Sequence, residues 1–201
     1  MVKKICFTGS QGTGKTTMRN ELVKYFNEHE VNTISNYVGV EDSISRDAKS
    51  VGFKINEETD FNSQYYMSSK YISADLLTDL VAERDLAEYI ILDRSVIDVL
   101  PYTALAKDIG IEQYRFIARL LEDHFHAFVP NILFYCRPLP EVNSDNDPLR
   151  SANKKFQEDI DKLFFAFAQS FVDQGVNVVK LESDTLENRM KIIYEEIGKL
   201  D

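Results

Sequence analysis

Eight residues near the start of the chain constrain it most: Gly9-Ser10-Gln11-Gly12-Thr13-Gly14-Lys15-Thr16. They follow the apolar run Ile5-Cys6-Phe7, which reads as a buried strand, and precede 17–29, which reads as a helix. This is G-x-x-x-x-G-K-[ST] in the strand–loop–helix setting it needs. Glycines let such a loop curl so that successive N–H groups point inward, where a Cβ would obstruct them. The following helix adds unpaired N–H groups and the positive end of its dipole. A Lys ammonium and a Thr hydroxyl at the last two positions suit a phosphate chain and its accompanying cation. Gly9, Gln11, Gly12, Thr13, Gly14, Lys15, Thr16 and Thr17 are therefore the expected phosphate-binding residues, with Thr16 also an expected Mg²⁺ ligand.

At 201 residues the chain can bury a substantial core as one domain, 1–201. No run of residues approaches a membrane span, and residues 1–7 are too short for a signal peptide. Cys6 and Cys136 both sit in apolar runs and read as reduced core thiols, which points to the cytoplasm. The net charge of −10 argues against tight nonspecific binding to duplex DNA. His29, His124 and His126 are scattered and read as surface or helix-packing residues.

Strand and helix patterns alternate along the chain, which points to a parallel sheet flanked by helices. Strands are expected at 3–8, near 32–38, at 89–93, at 131–136 and at 176–181. A short helix is expected over 41–51 and a long one over 59–86, with Phe61, Tyr65, Ile72, Leu76 and Leu80 as one stripe. Ser95 starts the next helix, with Asp98 three residues on as a capping-box partner. Pro101 should limit or kink that helix and Gly110 should end it, before another over 111–128. Residues 137–149 hold three of the five prolines and read as a loop. The helix 150–174 carries Phe156, Ile160, Leu163, Phe164, Phe167 and Phe171 at core spacing, and Asp184 with Glu187 opens the last helix.

Ligands of an open α/β sheet gather beyond the carboxyl ends of its strands. Asp93 and Arg94 end the third strand and so share an edge with the phosphate loop. Asp93 can hold a magnesium-bound water or accept a proton from an attacking hydroxyl, and Arg94 can clamp phosphate oxygens. After the fourth strand, Arg137 and Arg150 bracket a segment suited to closing over a phosphoryl group. Between strands two and three, Arg46 and Gln64 are the polar candidates for an acceptor site, while Tyr65 reads as core.

Together, Gly9 to Thr16, Asp93-Arg94-Ser95 and the arginine-bearing loop after strand four resemble the P-loop kinases of nucleosides and nucleotides, including thymidylate and deoxynucleoside kinases. The likeness is closest to nicotinamide riboside kinase-like small ATP-binding (AAA-type) domains, many encoded by bacteriophages. These similarly carry Asp-Arg-x-x-x-Asp after strand three, matched by Asp93, Arg94 and Asp98, and an acid with an Arg after strand two. Arg46 matches that Arg, whereas only Asn36 stands where the acid would fall.

The resemblance implies a three-layer α/β/α P-loop NTPase fold with a five-stranded parallel sheet. It also implies an acceptor-side helical segment at about 41–86 and a lid at about 137–155. It implies ATP and Mg²⁺ as cofactors and transfer of a γ-phosphoryl group to a small nucleoside, nucleotide or related hydroxyl. Lys15, Asp93, Arg94 and Arg150 would be catalytic, Arg137 would bind ATP, and the compartment would be the cytoplasm, a host's if phage-encoded. Two alternatives stand beside it: a kinase acting on a modified base in DNA, and a non-kinase NTPase or nucleotide-binding switch.

Overall fold

Strands made of consecutive apolar residues have to be covered on both faces, and this requirement organises the chain. The computed structural model describes residues 2–41, 43–139, 151 and 153–200. Its strands are β1 (Lys3–Thr8), β2 (Thr33–Ser35), β3 (Tyr89–Leu92), β4 (Ile132–Cys136) and β5 (Val178–Leu181). Its α-helices are α1 (Lys15–Glu28), α2 (Ile44–Ser50), α3 (Phe61–Arg84), α4 (Val99–Leu105), α5 (Ile111–Ala127), α6 (Lys154–Asp173) and α7 (Leu186–Ile197). The sheet is parallel, in the order β2-β3-β1-β4-β5, with helices on both sides: the three-layer P-loop NTPase fold. The lid expected at about 137–155 falls largely on 140–150 and 152, which lie outside the described residues.

The twofold alternation of side chains sorts the strands' residues between two layers. Ile5, Phe7, Ile91, Ile132 and Phe134 meet Met18, Leu22 and Phe26 of α1 and Met190, Ile193 and Ile197 of α7. Cys6, Ile90, Leu92 and Leu133 face the other way, onto α3, α4, α5 and α6. Phe164 and Phe171 of α6 are buried as the helical spacing predicts, and both cysteines are free and buried.

Four boundaries differ from expectation. Pro101 sits in the first turn of α4, where its missing N–H is not needed, so it neither breaks nor limits the helix. That helix stops at Leu105, ahead of Gly110. Asn153 caps α6 by accepting from the Phe156 N–H, so the helix begins after position 150. Thr185, rather than Asp184, caps α7 through the Asn188 N–H. The Ser95–Asp98 capping box forms as expected.

The long helix α3 departs further. Tyr65 is 44% exposed and Leu80 is 64% exposed, while Gln64, Ser63, Ser68 and Thr78 are fully buried. Apolar residues lie all round this helix, so periodicity alone does not say which face is covered. What decides it is polar. Lys4 of β1 is buried and has to be neutralised, and Asp75 Oδ1 at 3.1 Å and Asp79 Oδ1 at 2.7 Å do so. His124 of α5 completes the cluster, its Nε2 lying 3.0 Å from Asp75 Oδ2. The expected helix-packing role for His124 is thus a buried hydrogen bond. Asp75→Ala removes a partner from both Lys4 and His124 and is expected to lower unfolding free energy by about 3 kcal/mol. Urea unfolding measures this, and an unchanged midpoint would show that Asp79 alone suffices for Lys4.

Candidate active site

β1 and β3 are hydrogen-bonded neighbours with Cys6 opposite Leu92, so the residues that follow each strand emerge side by side. The phosphate loop follows β1. Gly9 (φ 140°), Gly12 (75°) and Gly14 (81°) all take positive φ. At Gly9 a Cβ would lie 2.5 Å from the Cys136 carbonyl oxygen of β4, so only glycine fits. Gly14 leads into α1 without any side-chain cap.

Lys15 is 7% exposed, and its ammonium donates to the carbonyls of Gly9 (2.8 Å) and Ser10 and to Thr13 Oγ1 (3.1 Å). Burial, with Arg94 nearby, pulls its pKa down to about 8. Thr16 Oγ1 donates to Asp93 Oδ2 at 2.8 Å, joining positions 77 residues apart in sequence. Arg94 is half-buried, and its carbonyl accepts from the Tyr37 hydroxyl at 3.1 Å.

Asp98 is 2% exposed. Its Oδ1 accepts from Thr8 Oγ1 at 2.6 Å and from the Ser95 N–H at 3.4 Å. Its Oδ2 is shielded from solvent and has no donor among the described residues. Burial lifts this carboxyl to about 6, against the pull of Arg94 and Lys15.

These groups line one cleft of about 700 Å³, a usual size for a small-molecule site. Gln11 to Thr17 form one end, and Asp93, Arg94 and Asp98 form the floor. The far wall comes from α2, α3 and the segment after β2, including Tyr37, Glu41, Arg46, Gln64 and Tyr71. The structure brings Gln11, Gly12, Thr13, Gly14, Lys15, Thr16, Thr17, Arg46, Gln64, Asp93 and Arg94 to one cavity.

Gln64 reaches it in an unexpected way. It is fully buried, with Nε2 donating to Thr59 Oγ1 and Oε1 accepting from Thr103 Oγ1 at 3.1 Å. One amide hydrogen and one lone pair remain for a ligand. Arg137 does not line the cleft: it is exposed just past β4, with its backbone N–H on the Leu181 carbonyl at 3.3 Å. Arg150 lies outside the described residues.

Sequence reasoning missed Arg189. This residue of α7 is fully buried, with Nη1 donating to the Thr13 carbonyl at 2.9 Å and Nε to the Ser183 carbonyl at 2.6 Å. It ties the phosphate loop to the loop after β5. The signal was there: Arg189 sits beside Leu186, Met190, Ile193 and Ile197, on the apolar face of an otherwise amphipathic helix. Arg189→Met keeps the apolar stem but strands two carbonyls. It is expected to cost roughly 2 kcal/mol in urea unfolding and to speed amide exchange at residues 13–16. Unchanged exchange there would show that Thr13 needs no anchor.

Two solved structures share this architecture. One, described as NadR protein in complex with NR, superposes with a TM-score of 0.74 at 15% identity over 98% of this chain. It covers 52% of that chain, so the present chain spans about half of its length. The other is deoxyadenosine kinase from M.mycoides with bound dATP, with a TM-score of 0.67 at 16% identity over 97% of this chain and 99% of that one. At such identities the likeness is one of fold. A search of curated proteins returned no match. No helix among the described residues is long and apolar enough to cross a membrane. Residues 4–189 match the AAA domain family, and on that match, which takes in most of its length, the chain belongs to it.

Proposed function

We propose that this protein is a kinase that transfers the γ-phosphoryl group of ATP to a hydroxyl of a nucleoside, a nucleotide or a related small molecule. The observation that carries this reading is a single cleft with a phosphate loop at one end and a protein-walled acceptor space at the other. A simple NTPase needs only the first end. The NR bound to NadR and the dATP bound to the deoxyadenosine kinase are nucleoside-type ligands on the same fold, in line with this reading.

The residues fit the groups such a reaction needs. Thr16 and Asp93, already hydrogen-bonded, offer two hard oxygen donors of the kind Mg²⁺ prefers. No three His, Cys, Asp or Glu converge anywhere among the described residues. The ion would thus be held by Thr16, Asp93 and phosphate oxygens, as magnesium commonly is. When bound, it neutralises charge on the phosphates.

Lys15 exchanges its backbone carbonyl partners for phosphate oxygens, and the uncapped first turn of α1 supplies further donors. Arg94, on the floor, offers its guanidinium to the phosphoryl group in flight. Gln64 and the ring pair Tyr37–Tyr71, with centroids 5.6 Å apart, form a wall that can read and pack a planar base. Arg46 stands at the rim of that wall. Arg150 is proposed, on sequence grounds, as the closing arginine.

Incubation with ATP, Mg²⁺ and deoxyadenosine, deoxycytidine, thymidine, their 5′-monophosphates or nicotinamide riboside should yield ADP in step with a phosphorylated acceptor. ATP hydrolysis indifferent to every acceptor would favour the NTPase reading instead. Lys15→Ala should abolish transfer in a folded protein. Thr16→Ala and Asp93→Asn should both raise the Mg²⁺ concentration needed for half-maximal rate. An unaltered magnesium titration in both variants would remove the ion from this pair.

A further inference from the structure

We infer that Asp98, not Asp93, takes the proton of the acceptor hydroxyl. The inference rests on the kinase reading above and deepens it. Three residues with carboxylates, Glu41, Asp93 and Asp98, line the described part of the cleft. Glu41 is exposed at its rim. Asp93 has Oδ2 committed to Thr16, which draws it to the cation end. Asn36, near the acceptor side, has no proton-accepting carboxylate.

Asp98 differs from all of these. Two donors, Thr8 Oγ1 and the Ser95 N–H, grip Oδ1 and fix the plane of the carboxyl. Oδ2 is left without a donor in a residue that is nearly fully buried and lines the cleft. A buried oxygen in that condition costs free energy unless something donates to it during the working cycle. The hydroxyl of the acceptor is such a donor. Two acids in one cleft, one hydrogen-bonded to the phosphate loop at Thr16 and one buried, are the arrangement that divides labour between carboxylates. Oδ2 is shielded, so the acceptor hydroxyl reaches it as a neighbouring side chain gives way, and Arg94, half-buried, is a charged neighbour.

In the step itself, the acceptor O–H proton passes to Asp98 Oδ2 as the acceptor oxygen bonds to the γ-phosphorus. The bond from that phosphorus to the bridging oxygen breaks, its electron pair leaves on ADP, and Asp98 later returns the proton to water. Burial holds the carboxyl near 6, close to the operating range a base needs. The charged and titratable groups around it are Lys15 and Arg94, the phenols Tyr37, Tyr71 and Tyr102, and the thiols Cys6 and Cys136. None of the phenols or thiols is expected to ionise near pH 6, since burial raises the pKa of each.

The test uses the full chain with Mg²⁺, ATP and whichever of the seven acceptors named above the wild type phosphorylates. The wild-type rate should rise with pH through about 6, as Asp98 loses its proton. Asp98→Asn keeps an acceptor for Thr8 but cannot take a proton. Its kcat should fall about 10²–10⁴-fold, with the acid limb lost and the KM for ATP nearly unchanged. Thr8→Val leaves the acid in place and removes a hydrogen bond to its charged form, so the acid limb should move to higher pH. Retention of kcat and of the limb in a folded Asp98→Asn would overturn the inference. So would loss of the limb in Asp93→Asn or Glu41→Gln instead. If Asp98→Asn does not fold, a limb unmoved in Thr8→Val overturns it. Failure of the wild type to phosphorylate any acceptor would sink the kinase reading itself, and this assignment with it.

Discussion

A loop that turns its N–H groups inward must turn its carbonyls outward, and those carbonyls need donors if they are buried. Much of this structure answers that demand. Thr13 Oγ1 donates to the Ser10 carbonyl, Arg189 to the Thr13 carbonyl, and Lys15 to the carbonyls of Gly9 and Ser10. The first two partners are permanent. On the kinase reading the third is on loan, because Lys15 would then turn its charge to the phosphates. Burial already works against that charge, so the loop holds its lysine at some cost, which an anion beside it would offset.

The same logic explains why the first turn of α7 matters to a loop 176 positions earlier in sequence. Arg189 joins the Thr13 carbonyl to the Ser183 carbonyl, so the loop after β1 and the loop after β5 share one guanidinium. The central strands β3, β1 and β4 set the height of the loop, and Gly9 lets it pass against the end of β4. The cleft is therefore a product of the sheet order as well as of the loop sequence. Asp93 meets Thr16 only because β3 lies beside β1.

What could be read from the sequence follows from where each signal lies. The phosphate loop, the apolar strands and the Ser95–Asp98 box are local patterns, and all three form as expected. Gln64 and Tyr65 were not separable in this way. They are consecutive on α3, and Tyr65 is exposed rather than core because Lys4, far away in sequence, draws the Asp75 side of the helix inward. Arg137 follows β4 as an arginine of a closing loop would, yet it sits outside the cleft. The cavity role of Asp98 was hidden for a similar reason. Its capping bond spans three residues, whereas the bond to Thr8 that orients it spans 90.

The charge distribution is the last element that bears on what the cleft admits. The whole chain carries −10, yet Lys15, Arg19, Arg46 and Arg94 line the cleft against Glu41, Asp93 and Asp98. With Asp98 partly neutral near pH 6 and Asp93 turned to Thr16, the cleft is locally cationic within an anionic surface. Such a field draws a small polyanion inward, where charges lie within a Debye length of about 8 Å and low-dielectric walls limit screening. The chain's net charge of −10 opposes the phosphates of a duplex. On the proposed kinase reading, a nucleoside triphosphate and a compact acceptor suit such a field better than a long nucleic acid does.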